Sequence, residues 1–242
     1  MAQELASHVA LITGAGRGIG RATALRLARA GSDLVLVART RAELDETAAL
    51  AAPMGVRTRV FAADITDDAQ IASLLQQTLV ELGSISILIN TAGVAPPRAV
   101  LGKTTLAEWD RMLATDLRAP MLLTRLLLPD MLAHNRGTII NIGSLAARQP
   151  RAGEAVYAAC KAGLVAFTHA LFAEVRNSGV RVVALLPGLV DTGFIPPNRR
   201  VDRSKFIRPE DVAETIFHIL TAARSACPTE MLLEPQFDPE TL

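Results

Sequence analysis

A chain of 242 residues, 50% of them hydrophobic and only 4% aromatic, has room for one large domain with a substantial core. A formal net charge of +1 with scattered positive residues leaves no basic surface for nucleic acid or lipid headgroups. Two cysteines, Cys160 and Cys227, make no disulfide framework, and no Cys/His cluster has metal-ligand spacing, so no metal is expected.

Along the chain, short β-like runs alternate with longer amphipathic stretches. The first predicted strand reads VALIT over 9–13 and opens near His8, so no signal peptide is expected ahead of it. Further strands are expected at 33–38, 58–62, 85–90, 138–142, 181–186 and 231–233. Helices are expected near 18–30, 41–52, 67–82, 105–133, 155–177 and 209–222. The strands are continuous β-branched runs rather than alternating ones, which requires cover on both faces. Thr40 with Glu43, and Thr105 with Glu108, have capping-box spacing, and Pro209 suits the first turn of the last helix.

Regular βα alternation without linker or repeat predicts a single domain over 1–242. Its fold class is α/β: a single-domain Rossmann fold, a doubly wound parallel sheet of about seven strands with helices on both faces. Apolar runs are broken by charges or prolines before the ~18 residues that a membrane span requires. A soluble, cytoplasmic protein without membrane or nucleic-acid partners is therefore expected.

Residues 13–20 read TGAGRGIG, directly after the first strand and opening the first helix. Gly14 permits a tight turn, Gly18 removes a side chain where a pyrophosphate must approach, and Gly20 allows close helix packing. The helix N-terminus supplies free N–H groups and a positive dipole end for phosphates. At the end of the second strand, where an NAD-preferring site places a carboxylate, the chain has Ala38, Arg39 and Thr40. No carboxylate is expected there to repel a 2′-phosphate, and Arg39, with Arg17 from the glycine loop, can bond one. NADP(H) is the cofactor this pattern favours; the alternative for either arginine is plain surface charge.

The chemistry-bearing pair is Tyr157, the only tyrosine, and Lys161, one of three lysines. Spacing i, i+4 puts both side chains on one helix face. A phenol ordinarily loses its proton near pH ~10. A neighbouring ammonium favours the phenolate, so a lowered Tyr157 pKa is expected. Ser144 can donate a hydrogen bond to an oxygen on which charge develops. The plainer alternative is a core tyrosine beside a solvated lysine. Cys160 reads as a small buried filler rather than a reactive thiol.

Taken together, TGAGRGIG at 13–20, Asp64, NTAG at 90–93, Ser144, Tyr157-x-x-x-Lys161, and Pro187-Gly188 followed by Thr192 resemble the short-chain dehydrogenase/reductase family. The pattern is most similar to 3-oxoacyl-acyl-carrier-protein-reductase-like members and runs nearly end to end. The resemblance implies that Tyr157 moves the proton of the substrate oxygen, Lys161 binds the nicotinamide ribose and Ser144 polarises the carbonyl. It places Asp64 at the adenine, Asn90 at the sheet and cofactor ribose, and Thr192 at the carboxamide. Ile19, Ile65, Ala92, Gly93 and Val190 would complete the cofactor contacts. Asp64 as a turn cap, Asn90 as a stabiliser of the fourth strand and Pro187-Gly188 as a turn remain open alternatives. A homo-oligomer, dimer or tetramer, is also implied.

Two departures stand out. Asp116 occupies the family's usual catalytic-asparagine position, and the chain ends EPQFDPETL rather than in a glycine-pair motif. Pro120 has no N–H, so the carbonyl of residue 116 lacks its helix partner and is expected to bind a relay water, with the Asp116 side chain altering pH dependence. Otherwise Asp116 is a surface or capping aspartate. Pocket walls are expected from 94–98, 145–156 and a substrate lid near 189–208. Phe194, Ile195 and Pro196 suggest apolar contact. Arg148, Arg151, Arg199, Arg200 and Arg203 suggest attraction for an anionic handle, or else solvated loop charge. The reading is an NADP(H)-dependent oxidoreductase that reduces a small-molecule ketone to a secondary alcohol. Its rivals are a silent dinucleotide-binding regulator, and a non-redox lyase or epimerase.

Overall fold

The computed structural model describes residues 4–195, 201–223 and 225–239. Seven strands, β1 (Val9–Thr13), β2 (Asp33–Ala38), β3 (Thr58–Ala62), β4 (Ile87–Asn90), β5 (Gly137–Ile142), β6 (Val180–Pro187) and β7 (Glu230–Leu233), form one sheet ordered β3-β2-β1-β4-β5-β6-β7. Every pairing is parallel. The helices are α1 (Gly18–Arg29), α2 (Arg41–Ala51), α3 (Asp68–Glu81), α4 (Leu106–Leu113), α5 (Ala119–Ala133), α6 (Ala155–Val175) and α7 (Pro209–Thr221).

The period of two along each strand divides the apolar residues between two cores. Ala10, Ile12, Leu34 and Leu36 pack with Leu27 of α1, Leu44 of α2 and Ile216 of α7. Leu11, Val35 and Val37 face the other way, onto Leu74 of α3, Leu123 of α5 and Leu171 of α6. Strand order runs outward from β1 in one direction and from β4 in the other. The crevice at their carboxyl ends, between β1 and β4, is the topological switch point where such sheets bind ligands.

Several local expectations are corrected. The predicted helix over 105–133 is interrupted by a five-residue π turn, Ala114–Arg118, between α4 and α5. Pro120 would clash with the carbonyl four residues back, and the turn relieves this by passing the Ala119 N–H to Ala114 O, five residues back. Thr105 and Glu108 do form the expected capping box. Thr40 makes no side-chain cap to α2, and Glu43 lies against the glycine loop at Gly16. Asp67, unmarked by the sequence reading, caps α3 by accepting from Ala69 N and Gln70 N at 2.9 and 3.0 Å. The segment Ala155–Ser178 is long and apolar enough by composition to cross a membrane, contrary to expectation. It nevertheless lies against β6 as a core helix, with Lys161 and Thr168 buried on it.

Candidate active site

The site is a cleft of about 340 Å³ at the switch point, within the range of small-ligand pockets. Its floor is the loop from β1 into α1. Gly14 and Gly18 have φ of 65° and 54°, where an L side chain would be strained. A Cβ at Gly18 would lie 3.0 Å from Thr192 Cγ2, and one at Gly20 would overlap the Gly14 carbonyl. Bare backbone therefore lines this end. No side chain caps α1 at Arg17, so its first-turn N–H groups remain available to an anion. Thr13, which the sequence reading passed over, steadies the opposite wall: its hydroxyl accepts from Thr91 N and Ala92 N at 3.0 and 3.1 Å.

Arg17, Arg39 and Thr40 line one end of the cleft together, as the sequence implied. The expectation that no carboxylate would stand there is overturned. Glu43 lines the same end, its Oε1 3.8 Å from Arg17 Nη1. One helical turn past the β2 terminus brings it back toward the glycine loop, a proximity that strand-end reasoning does not reach. Asp64 and Ile65 follow β3 into the cleft, and Asp64 Oδ1 accepts from Thr66 N and Oγ1 at 2.9 and 2.8 Å, so it also caps its own turn. Ala92, Gly93, Pro187, Gly188, Val190, Thr192 and Ile19 are lining residues as well.

Asn90 is not. It is buried behind the cleft, donating to Asn141 Oδ1 at 2.8 Å, and Asn141 in turn donates to Thr168 Oγ1 at 2.9 Å. Its contact ties β4 to β5, the alternative left open above.

At the far end of the cleft stand Ser144, Tyr157 and Lys161. Ser144 follows β5 and accepts from Ala146 N at 3.2 Å. Tyr157 and Lys161 lie in the first two turns of α6, with the Lys161 ammonium 5.7 Å from the Tyr157 ring centroid. Lys161 Nζ donates to Ile142 O at 3.1 Å and lies 3.1 Å from Asp116 Oδ1. Asp116, on the π turn, has no exposed surface, and its Oδ2 accepts from Val94 N at 3.1 Å. It is neither a surface nor a capping aspartate, and its side chain engages Lys161.

The expected lowering of the Tyr157 pKa is reversed. Burial raises the Tyr157 pKa above the ordinary phenol value; Lys161 and Ser144 oppose the shift, while Asp116 and Glu154 add to it. Burial alone would lower the Lys161 pKa, but the Asp116 charge, with Tyr157, turns the shift upward and keeps the ammonium charged. Cys160 is fully buried and its thiol is pushed up to about 11 by burial, which fits a filler.

The apolar wall beside the tyrosine is built from Phe194, whose ring centroid is 6.2 Å from that of Tyr157, with Val94, Trp109 and Val156 around it. Two of the proposed anion-attracting arginines are engaged elsewhere. Arg148 binds Glu230 at 2.8 and 2.6 Å, and Arg203 holds Asp191. Arg151 does not line the cleft. Pro196, Arg199 and Arg200 lie outside the described residues. Among the described residues no cluster of His, Cys, Asp and Glu could hold a metal.

The family model for short chain dehydrogenases matches residues 8–201. The chain belongs to the short-chain dehydrogenase family. Among relatives of this short-chain dehydrogenase is a cis-4-hydroxycyclohexanecarboxylate dehydrogenase of Sinomonas cyclohexanicum, 32% identical over 93% of this chain and 94% of the relative. An uncharacterized oxidoreductase of Staphylococcus aureus is 30% identical over 96% and 98%. A solved metagenomic short-chain oxidoreductase in complex with NADP superposes with a TM-score of 0.85 at 33% identity, covering 97% of this chain and all of that one. The glycine loop, Ser144, Tyr157 and Lys161 of this short-chain dehydrogenase thus occupy one continuous cleft.

Proposed function

We propose that this oxidoreductase uses NADP(H) to reduce a ketone, of 3-oxoacyl or related type, to a secondary alcohol. The carrying observation is the single cleft that runs from Arg17 and Arg39 past the bare glycine backbone to Tyr157. The cleft's volume, the uncapped α1 terminus and the space a Gly18 side chain would fill suit a dinucleotide. When bound, NADPH supplies the hydride.

The rest of the chemistry belongs to the chain's own residues. Arg17 and Arg39 bind the 2′-phosphate, and α1 holds the pyrophosphate. Lys161 offers its remaining donor to the cleft for the nicotinamide ribose. Ser144 donates to the carbonyl oxygen and Tyr157 gives it the proton. Phe194 and Val94 exclude water from that end. A protonated Tyr157 suits reduction, because the proton must already be present on the donor.

The segment 189–208 is proposed to close over substrate. Its base supports this: Asp191 N donates to Ile207 O at 2.8 Å and Ile207 N to Leu189 O at 3.0 Å, joining the two ends of the segment. Exposed Leu106, Leu113, Met121 and Leu126 on α4 and α5 support a homo-oligomer. The fit to a cytoplasmic enzyme is compositional.

The test is NADPH consumption with a panel of simple ketones, cyclic keto acids suggested by the Sinomonas relative, and a 3-oxoacyl thioester. Turnover of at least one class is expected. Binding without turnover across the panel would overturn the reductase reading in favour of a silent regulator. Product formed without net change in NADPH would favour a lyase or epimerase.

A further inference from the structure

The buried pair Lys161–Asp116 has no part in the proton transfer as derived so far. Building on the reductase reading, we propose that Asp116 is a positioning residue: the counter-ion of Lys161 that offsets the ammonium's stabilisation of the phenolate, so that Tyr157 stands ready as a phenol.

Two groups converge on this side chain: the Lys161 ammonium forms an ion pair with Oδ1 at 3.1 Å, and the Val94 N–H donates to Oδ2 at 3.1 Å. A carboxylate accepts from Val94 N–H on one oxygen and sets negative charge against the ammonium with the other, whereas an asparagine brings no charge and would turn its NH2 toward one of the two groups. A Cβ at Gly93 would lie 2.8 Å from Asp116 Oδ1, so the glycine there is what admits the carboxylate. With Asp116 wholly buried and Lys161 5% exposed, little solvent screens the pair.

The charges around Tyr157 balance. Lys161 faces it from α6, Glu154 from the residue just before that helix, and Asp116 from the π turn. Arg98, from the loop after β4, lies 3.8 Å from Glu154. Ser144, after β5, is neutral, and Cys160 beside Lys161 stays a neutral thiol. Two cations thus meet two anions, and removing the Asp116 charge leaves one cation in excess next to the phenol. The phenolate would then be favoured.

Tyr157 is the only tyrosine, so the ultraviolet absorbance of tyrosinate reports it alone, with Tyr157→Phe as the blank. The wild-type midpoint is expected above the ordinary ~10. In Asp116→Asn it is expected to fall by at least about one pH unit. The alkaline limb of carbonyl reduction should move down by the same amount, and alcohol oxidation at neutral pH should rise. Asp116→Ser is the second variant, and thermal melts establish that each is folded. A wild-type midpoint at or below ~10 overturns the proposal. So does an unchanged or raised midpoint in a folded variant. A downward shift with no turnover in any protein would keep the counter-ion and remove the reductase reading; turnover without a shift would do the reverse.

Discussion

Tyr157 shows how far a residue's chemistry depends on its neighbours. Its spacing from Lys161 puts an ammonium beside the ring, yet burial and the Asp116 carboxylate win, and the phenol is harder to ionise than a free one. The proton-donor role predicts that Tyr157→Phe lowers carbonyl turnover by about 10²–10⁴-fold, with NADPH affinity nearly unchanged, as read by steady-state kinetics and nucleotide fluorescence. Glu43 is the second residue whose role is spatial. It stands 3.8 Å from Arg17 at the end of the cleft proposed for the 2′-phosphate. Both groups are partly exposed, so the effect of Glu43→Gln is modest: NADPH should bind about 2–5-fold more tightly while NADH is little affected, measured by titration with each. Equal gains for both nucleotides would place the effect elsewhere than at the 2′ position.

Elements position these residues through a few close contacts. The opening of α1 depends on Gly20, where a methyl would overlap the Gly14 carbonyl. Gly20→Ala is expected to displace the loop and cost at least about tenfold in nucleotide affinity, with a lower melting temperature. The far end of α1 is held to α7 by Arg26, which binds Glu214 at 2.5 and 3.2 Å and lies 3.3 Å over the Phe217 ring. Since Glu214 is about half exposed, Arg26→Ala should cost only about 1–2 kcal/mol of stability in denaturant melts, with activity retained. The π turn is the least anticipated element. Pro120 was legible in sequence as a broken hydrogen bond, but its consequence, a re-wound turn that swings Asp116 inward onto Lys161, depends on α4 and α5 being packed as one column.

For the molecule as a whole, the pH dependence of stability includes a site far from the cleft. His8, at the amino end of the sheet, bonds Ser86 Oγ at 2.9 Å and has its pKa pushed down to about 4 by burial, with Arg136 and Arg181 adding. The folded state therefore binds fewer protons than the unfolded one between the ordinary 6.5 and about 4. Its stabilising contribution is complete above 6.5 and is lost as pH falls through that window. His8→Gln should flatten the decline of melting temperature between those pH values; an unchanged slope would assign the decline to the carboxylates instead.

Much of this protein was present in the linear chain. Strand–helix alternation, β-branched runs and the glycine spacing dictate a doubly wound sheet and its nucleotide end, because those signals act through backbone conformation and local burial. Tyr157 and Lys161 were legible because one helix turn joins them. The unread features are contacts between residues far apart in sequence: Glu43 returning to Arg17, Arg148 taken by Glu230, and Asp116 brought to Lys161. Each is decided by which elements meet once the sheet has closed, and the charge on a buried group is set by that company rather than by its neighbours in the chain.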